Sequence, residues 1–102
     1  MSQQITSFQT LFPALRSGGV YVVEDLCTSY WPQYQGGPPD TEGTMISFLK
    51  HLLDDLNKLG IEFGDHERAV AYAKEIALPL TDYALTVSSI QFFQSMAFIE
   101  KR

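Results

Sequence analysis

Apolar side chains recur along residues 3–15 at Ile5, Phe8, Leu11, Phe12 and Leu15, a spacing that predicts a helix with one buried face. Pro13 removes a backbone donor near its end, so a kink or a short second turn is expected before Arg16. Ser17-Gly18-Gly19 breaks the pattern with the positive-φ freedom of a tight helix-to-strand turn. The run Val20-Tyr21-Val22-Val23 has no polar alternation. It reads as a strand covered on both faces inside a parallel sheet, ending in the acids Glu24 and Asp25. Helix, glycine turn, buried strand and acidic end form an αβ unit of a doubly wound fold, in which ligands bind beyond the carboxyl ends of strands.

Residues 27–43 carry no periodicity; Tyr30, Trp31 and Tyr34 lie among Pro32, Gly36-Gly37 and Pro38-Pro39. So long an irregular segment within a compact domain is either functional or disordered. Residues 44–59 form the strongest helical pattern, with Met45, Phe48, Leu49, Leu52, Leu56 and Leu59 on one face and Lys50, Asp54, Asp55, Asn57 and Lys58 on the other. Thr41 or Thr44 can cap it, Gly60 can end it, and Asp54 and Lys58 are placed for an i,i+4 ion pair. A second helix is expected over residues 65–77, with Asp65 as cap, Val70, Ala73 and Ile76 as stripe and Pro79 as stop. Residues 85–93 and 96–101 are β-rich runs joined by Gln94-Ser95, a terminal hairpin whose connection lacks the usual glycine.

With 102 residues, 45% of them hydrophobic, residues 1–102 read as a single domain. Seven Lys and Arg against twelve Asp and Glu leave a net charge of −5, which provides no electrostatic footprint for nucleic acid. No apolar run approaches the roughly 18 to 20 residues that cross a bilayer, and the first residues lack the pattern of a secretory signal, so a cytoplasmic protein with no membrane partner is expected. The single cysteine, Cys27, excludes an internal disulfide and a cysteine-based zinc site. The acids beside it work against a nucleophile partnered by His51 or His66, and a plain loop residue is expected. His51 and Asp55, at i,i+4, read as a polar-face pair.

Two groups of residues carry candidate chemistry. Glu24 and Asp25 are neighbours on a strand, where regular pleating sends side chains to opposite faces; joint metal binding requires the chain to turn at that point, and the alternative is a solvated strand end. Tyr30, Trp31 and Tyr34 either line a sugar or macrolide pocket or cover the sheet's end or a partner's surface.

The stretch Leu11-Phe12-Pro13-Ala14-Leu15-Arg16-Ser17-Gly18-Gly19-Val20-Tyr21-Val22-Val23-Glu24-Asp25-Leu26 resembles the fifth-strand region of class I S-adenosylmethionine-dependent methyltransferases. Thr28-Ser29-Tyr30-Trp31 and the closing Ser89-Ile90-Gln91-Phe92-Phe93-Gln94-Ser95-Met96-Ala97-Phe98-Ile99-Glu100-Lys101 narrow the resemblance to magnesium-dependent macrolide-sugar O-methyltransferases. It spans nearly the whole chain but only the C-terminal part of that catalytic domain. The implied fold class is α/β, a partial Rossmann-like methyltransferase fold. It would hold a three-stranded mixed sheet in the order fifth, seventh, sixth, with a C-terminal β-hairpin and flanking helices; residues 20–24 would be the fifth strand.

By the same resemblance Glu24 and Asp25 match two Mg²⁺ ligands, and S-adenosylmethionine is the implied methyl donor. The family's glycine-rich loop, its ribose-binding acid and its Asp-Gly-Ser-His motif have no counterpart here, and Gln3 stands where relatives often carry a histidine. The expectation is therefore a C-terminal fragment or split half that neither binds its cofactors nor catalyses alone, with a complementary N-terminal half or a second copy as partner. The competing reading is a non-catalytic association module that oligomerises, for instance as a dimer, through an exposed sheet edge.

Overall fold

A computed structural model describes residues 2–59 and 66–102 of the chain. Helix α1 (Ser2–Leu11) is followed by strand β1 (Val20–Val23), two short 3-10 turns (Leu26–Tyr30 and Pro32–Tyr34) and helices α2 (Met45–Lys58), α3 (His66–Glu75) and α4 (Asp82–Thr86). Strands β2 (Val87–Phe93) and β3 (Met96–Lys101) close the chain. The sheet order is β1-β3-β2, which reproduces the fifth-seventh-sixth arrangement. Both pairings are antiparallel, so the expected mixed character is absent. β1 and β2 run parallel to each other on either side of β3, and each leaves an edge to which a parallel neighbour can add.

Helix α1 ends where Pro13 withholds its N–H. Phe12 N still donates to Phe8 O, after which Ala14 N donates to Leu11 O and Leu15 N to Phe12 O, the tighter second turn expected. Lys101 on β3 closes this end: Nζ donates to Pro13 O at 2.7 Å and Leu15 O at 2.6 Å, a cation on otherwise open carbonyls. Leu11, assigned to the apolar stripe, is exposed instead, because the chain leaves the helix there and turns Phe12 inward. Gly18 adopts φ +82°, and a Cβ on Gly19 would meet the Leu15 side chain at 2.6 Å, so both glycines of the turn are required.

The core lies between the helices and one face of the sheet. Phe8, Phe12, Met45, Leu49 and Leu52 pack against Val23, Ala97 and Ile99. Thr44, and not Thr41, caps α2 by accepting from Ser47 N at 3.1 Å. Gly60 and Asp65, the expected stop and cap, lie outside the described residues. Helix α3 buries Ala69 and Ala73, and Ile76 is exposed, because the helix stops at Glu75 and Ala77 turns left-handed at φ 58°. The expected Asp54–Lys58 pair is replaced by Lys58–Asp55 at 3.1 Å, since Asp55 is the acid that packing buries and that therefore needs the cation. Leu85 and Thr86, read as strand, end helix α4, which Thr81 caps through Ala84 N.

Tyr83 sits among Phe8, Phe12 and Phe48. Burial pushes its phenol above the ordinary value of 10.0, and the Asp55 and Asp82 carboxylates add to the shift. A folded-state value above the unfolded one means that the neutral phenol favours folding. Its contribution is complete below the unfolded value and is lost as pH rises through the raised one. The urea midpoint is therefore expected to hold through neutral pH and to fall above about pH 10, with Tyr83→Phe removing part of that fall. Identical alkaline profiles for the two proteins would contradict the burial of this phenol.

Among the described residues the other face of the sheet is largely exposed. Val20 and Val22 are each 45% exposed, Phe93 is 54% exposed, and the register places Val22 opposite Phe98. The expectation that β1 is covered on both faces is thus corrected: it is an edge strand of this sheet, with one face on the helices and one in solvent. An unbroken apolar run records the burial a strand is suited to, and within the described residues only half of that cover exists.

Candidate metal and acceptor site

Strand β1 delivers the acids at its carboxyl end. Pairing with β3 stops at Val23 and Ala97, and Asp25 then takes φ 57° and ψ 40°, a left-handed bend. The regular pleat therefore ends at these two residues. Thr28 secures the bend from within, N–H and Oγ1–H both donating to Asp25 O at 3.1 and 2.9 Å. Gln4 on α1 secures it from one flank, its Nε2 donating to Glu24 O at 2.9 Å. Ser95 at the hairpin tip secures the other: its carbonyl accepts from Leu26 N at 3.0 Å and its Oγ from Cys27 N at 3.1 Å. Neither Gln4 nor Ser95 stood out in the sequence. They reach the turn from 20 and 68 residues away, and no local pattern encodes such a contact.

A groove of about 250 Å³ runs between Gln3, Gln4 and Ser7 of α1 and the Tyr21, Val22 and Glu24 side of β1. Gln4 Oε1 is buried there and finds no hydrogen-bond partner among the described residues. Glu24 and Asp25 offer oxygen donors, which suit a hard divalent cation. Glu24 and Asp25 are two carboxylates for an ion that takes six ligands. Among the described residues no group of three or more His, Cys, Asp and Glu forms a complete cage. By its chemistry the pair would suit part of an Mg²⁺ shell.

The 27–43 segment is ordered around buried Ser29. Ile46 N donates to Ser29 Oγ and Gly37 N to Ser29 O. A Cβ on Gly36 would lie 2.4 Å from Ser29 O, a gap that admits only glycine. Lys50 Nζ holds Asp40 Oδ1 at 2.6 Å, pulling that carboxyl below its usual value and its own ammonium above. This framework sets Tyr30, Trp31 and Tyr34 on the surface as half-exposed rings, Trp31 and Tyr34 with centroids 6.0 Å apart. His51 is exposed on α2, and Asp55 is buried with Lys58, so the expected His51–Asp55 polar-face pair divides between solvent and core. No described helix is long and apolar enough to cross a membrane.

Sheet order and hairpin match those of part of a methyltransferase fold. The chain is 42% identical over 98 residues to the 8-demethyl-8-alpha-L-rhamnosyl tetracenomycin-C 2'-O-methyltransferase of Streptomyces olivaceus, an alignment covering 96% of this chain and 23% of that protein. It is 33% identical to the mycinamicin VI 2''-O-methyltransferase of Micromonospora griseorubida, covering 94% of this chain and 22% of the relative. The solved MycE methyltransferase of the mycinamycin pathway, in complex with Mg, SAH and mycinamycin VI, superposes with a TM-score of 0.67 at 30% identity, over 95% of this chain and 21% of its own. No family model matches the chain. Over nearly its whole length the chain is similar to part of these sugar O-methyltransferases, and it spans under a quarter of the length of the curated relatives it matches.

Proposed function

We propose that this chain is the metal- and acceptor-facing part of an S-adenosylmethionine- and Mg²⁺-dependent sugar O-methyltransferase, inactive until joined to a part that holds the cofactor. The observation that carries the reading is the left-handed acidic turn at the end of β1, in a fold that aligns with MycE over nearly its whole length. Glu24 and Asp25 would hold Mg²⁺ through their carboxylates. The group held there would supply Lewis acidity that eases loss of a proton from a sugar hydroxyl, the activation that methyl transfer to that oxygen needs. Tyr30, Trp31 and Tyr34 offer amphipathic rings to the acceptor, apolar faces for packing and polar tips for hydrogen bonds. Neither a base nor a cradle for the sulfonium cofactor is among these residues, which supports inactivity of the chain alone.

The partner we infer is the complementary methyltransferase part, lying along the free edge of β1 and over the bare face of Val20, Val22 and Phe93. Co-expression with the relevant part of a relative's catalytic domain is expected to yield methyl transfer that neither polypeptide shows alone. Calorimetric titration of the isolated chain with S-adenosylmethionine and Mg²⁺ is expected to give no saturable heat with the cofactor; tight cofactor binding would sink the claim of inactivity. The same edge and face favour a second reading, self-association without catalysis. A stable dimer by light scattering that no methyltransferase part displaces would establish that instead.

A further inference from the structure

Asp25 and Ser95 both hold left-handed backbone, at φ 57° and 61°, and neither is glycine. Aspartate tolerates such a conformation better than serine does, and serine keeps it where its surroundings hold it. The two bends face each other across the sheet end. Ser95 takes the first two N–H groups after the acids, Leu26 N on its carbonyl and Cys27 N on its hydroxyl. A two-residue hairpin connection is easier for glycine or asparagine at the positive-φ position. A serine there accepts backbone strain and provides a hydroxyl, and that hydroxyl is used on the acidic turn. Leu26 is buried in the core directly after the bend, so the turn is pinned by packing as well as by these bonds.

Resting on the metal reading above, we propose that Ser95 is a positioning residue for the cation site. Through its carbonyl and hydroxyl it holds the bend at Asp25 that lets two adjacent carboxylates serve one divalent ion. Gln4, on the Glu24 carbonyl, is the opposite jaw of the same clamp.

Two carboxylates hold a divalent ion only weakly before the complementary part joins, so the test is Mn²⁺ titration of the full chain carried into the millimolar range, followed by the electron paramagnetic resonance signal of the free ion and paired with thermal melts of each variant. Ser95→Gly keeps the carbonyl, removes the hydroxyl and relieves the strained φ; its melting temperature is expected to hold or rise while Mn²⁺ affinity falls by up to about tenfold as the bend it held loosens. Ser95→Thr keeps the hydroxyl on a β-branched residue that resists positive φ, so it is expected to melt lower and bind nearly as the wild type does. Affinity and stability moving in opposite orders is what a purely structural serine would not produce. Wild-type affinity in Ser95→Gly, or affinity that simply tracks melting temperature, overturns the inference alone. Failure of the wild type to bind Mn²⁺, or binding that survives Glu24→Gln with Asp25→Asn, overturns the metal reading and the inference with it.

Discussion

Replacing Phe8 by alanine is expected to leave the chain unfolded or close to it at 37 °C. Its ring is fully buried and joins four elements: it stacks on Phe12 at 4.8 Å and meets Tyr21 of β1 at 5.2 Å, Tyr83 of α4 at 5.4 Å and Phe48 of α2 at 5.5 Å. Removing a buried phenylalanine ring costs about 3 to 5 kcal/mol, the transfer of its atoms plus the cavity they leave. A chain of this size has a stability of about 5 to 15 kcal/mol, and one with half its sheet uncovered belongs at the low end. A fall in melting temperature of about 15 °C or more follows, with loss of the near-ultraviolet circular dichroism of the aromatic cluster. Phe8→Leu, which keeps much of the volume, is expected to be markedly milder. Loss of only a few degrees in Phe8→Ala would show that the helices do not depend on this contact.

Val22→Lys is expected to separate folding from assembly. In the isolated chain Val22 is 45% exposed on an edge strand, so the lysine can reach water and the melting temperature is expected to move by no more than a few degrees. In the assembly proposed above the same position lies beneath the complementary part. A lysine there is a buried charge without a partner, costing several kcal/mol, so recovery of methyl transfer in co-expression is expected to fall by about a hundredfold or more. Restored turnover equal to that of the wild type would mean that the bare face is not where the two parts meet. Circular dichroism of the purified variant confirms that the fold persists.

The elements legible in the sequence are those with local causes. The β-branched run at Val20–Val23, the alternation-poor strand Met96–Lys101 and the apolar stripe of Met45–Lys58 with its threonine cap each sit where the sequence places them, because propensity and periodicity act over a few residues. The resemblance was legible for the same reason, being carried by contiguous motifs. Only the last two residues of α4 depart from the sequence reading: Leu85 and Thr86 suit strand or helix, and the Thr81 cap that settles the matter is a single hydroxyl. Asp54 and Asp55 were equivalent candidates for Lys58 until packing buried one of them.

The sequence by itself determined that an apolar strand runs into two acids, that a hairpin closes the chain and that the whole aligns with sugar O-methyltransferases. Only the tertiary structure decided that β1 is an edge with one bare face, that Asp25 bends left-handed and that Ser95 and Gln4 hold the bend. The reason is distance along the chain. Helix stripes, caps and strand runs are written within about a turn of the residues they govern, whereas a clamp closed over 20 and 68 residues exists only once the sheet has brought its ends together.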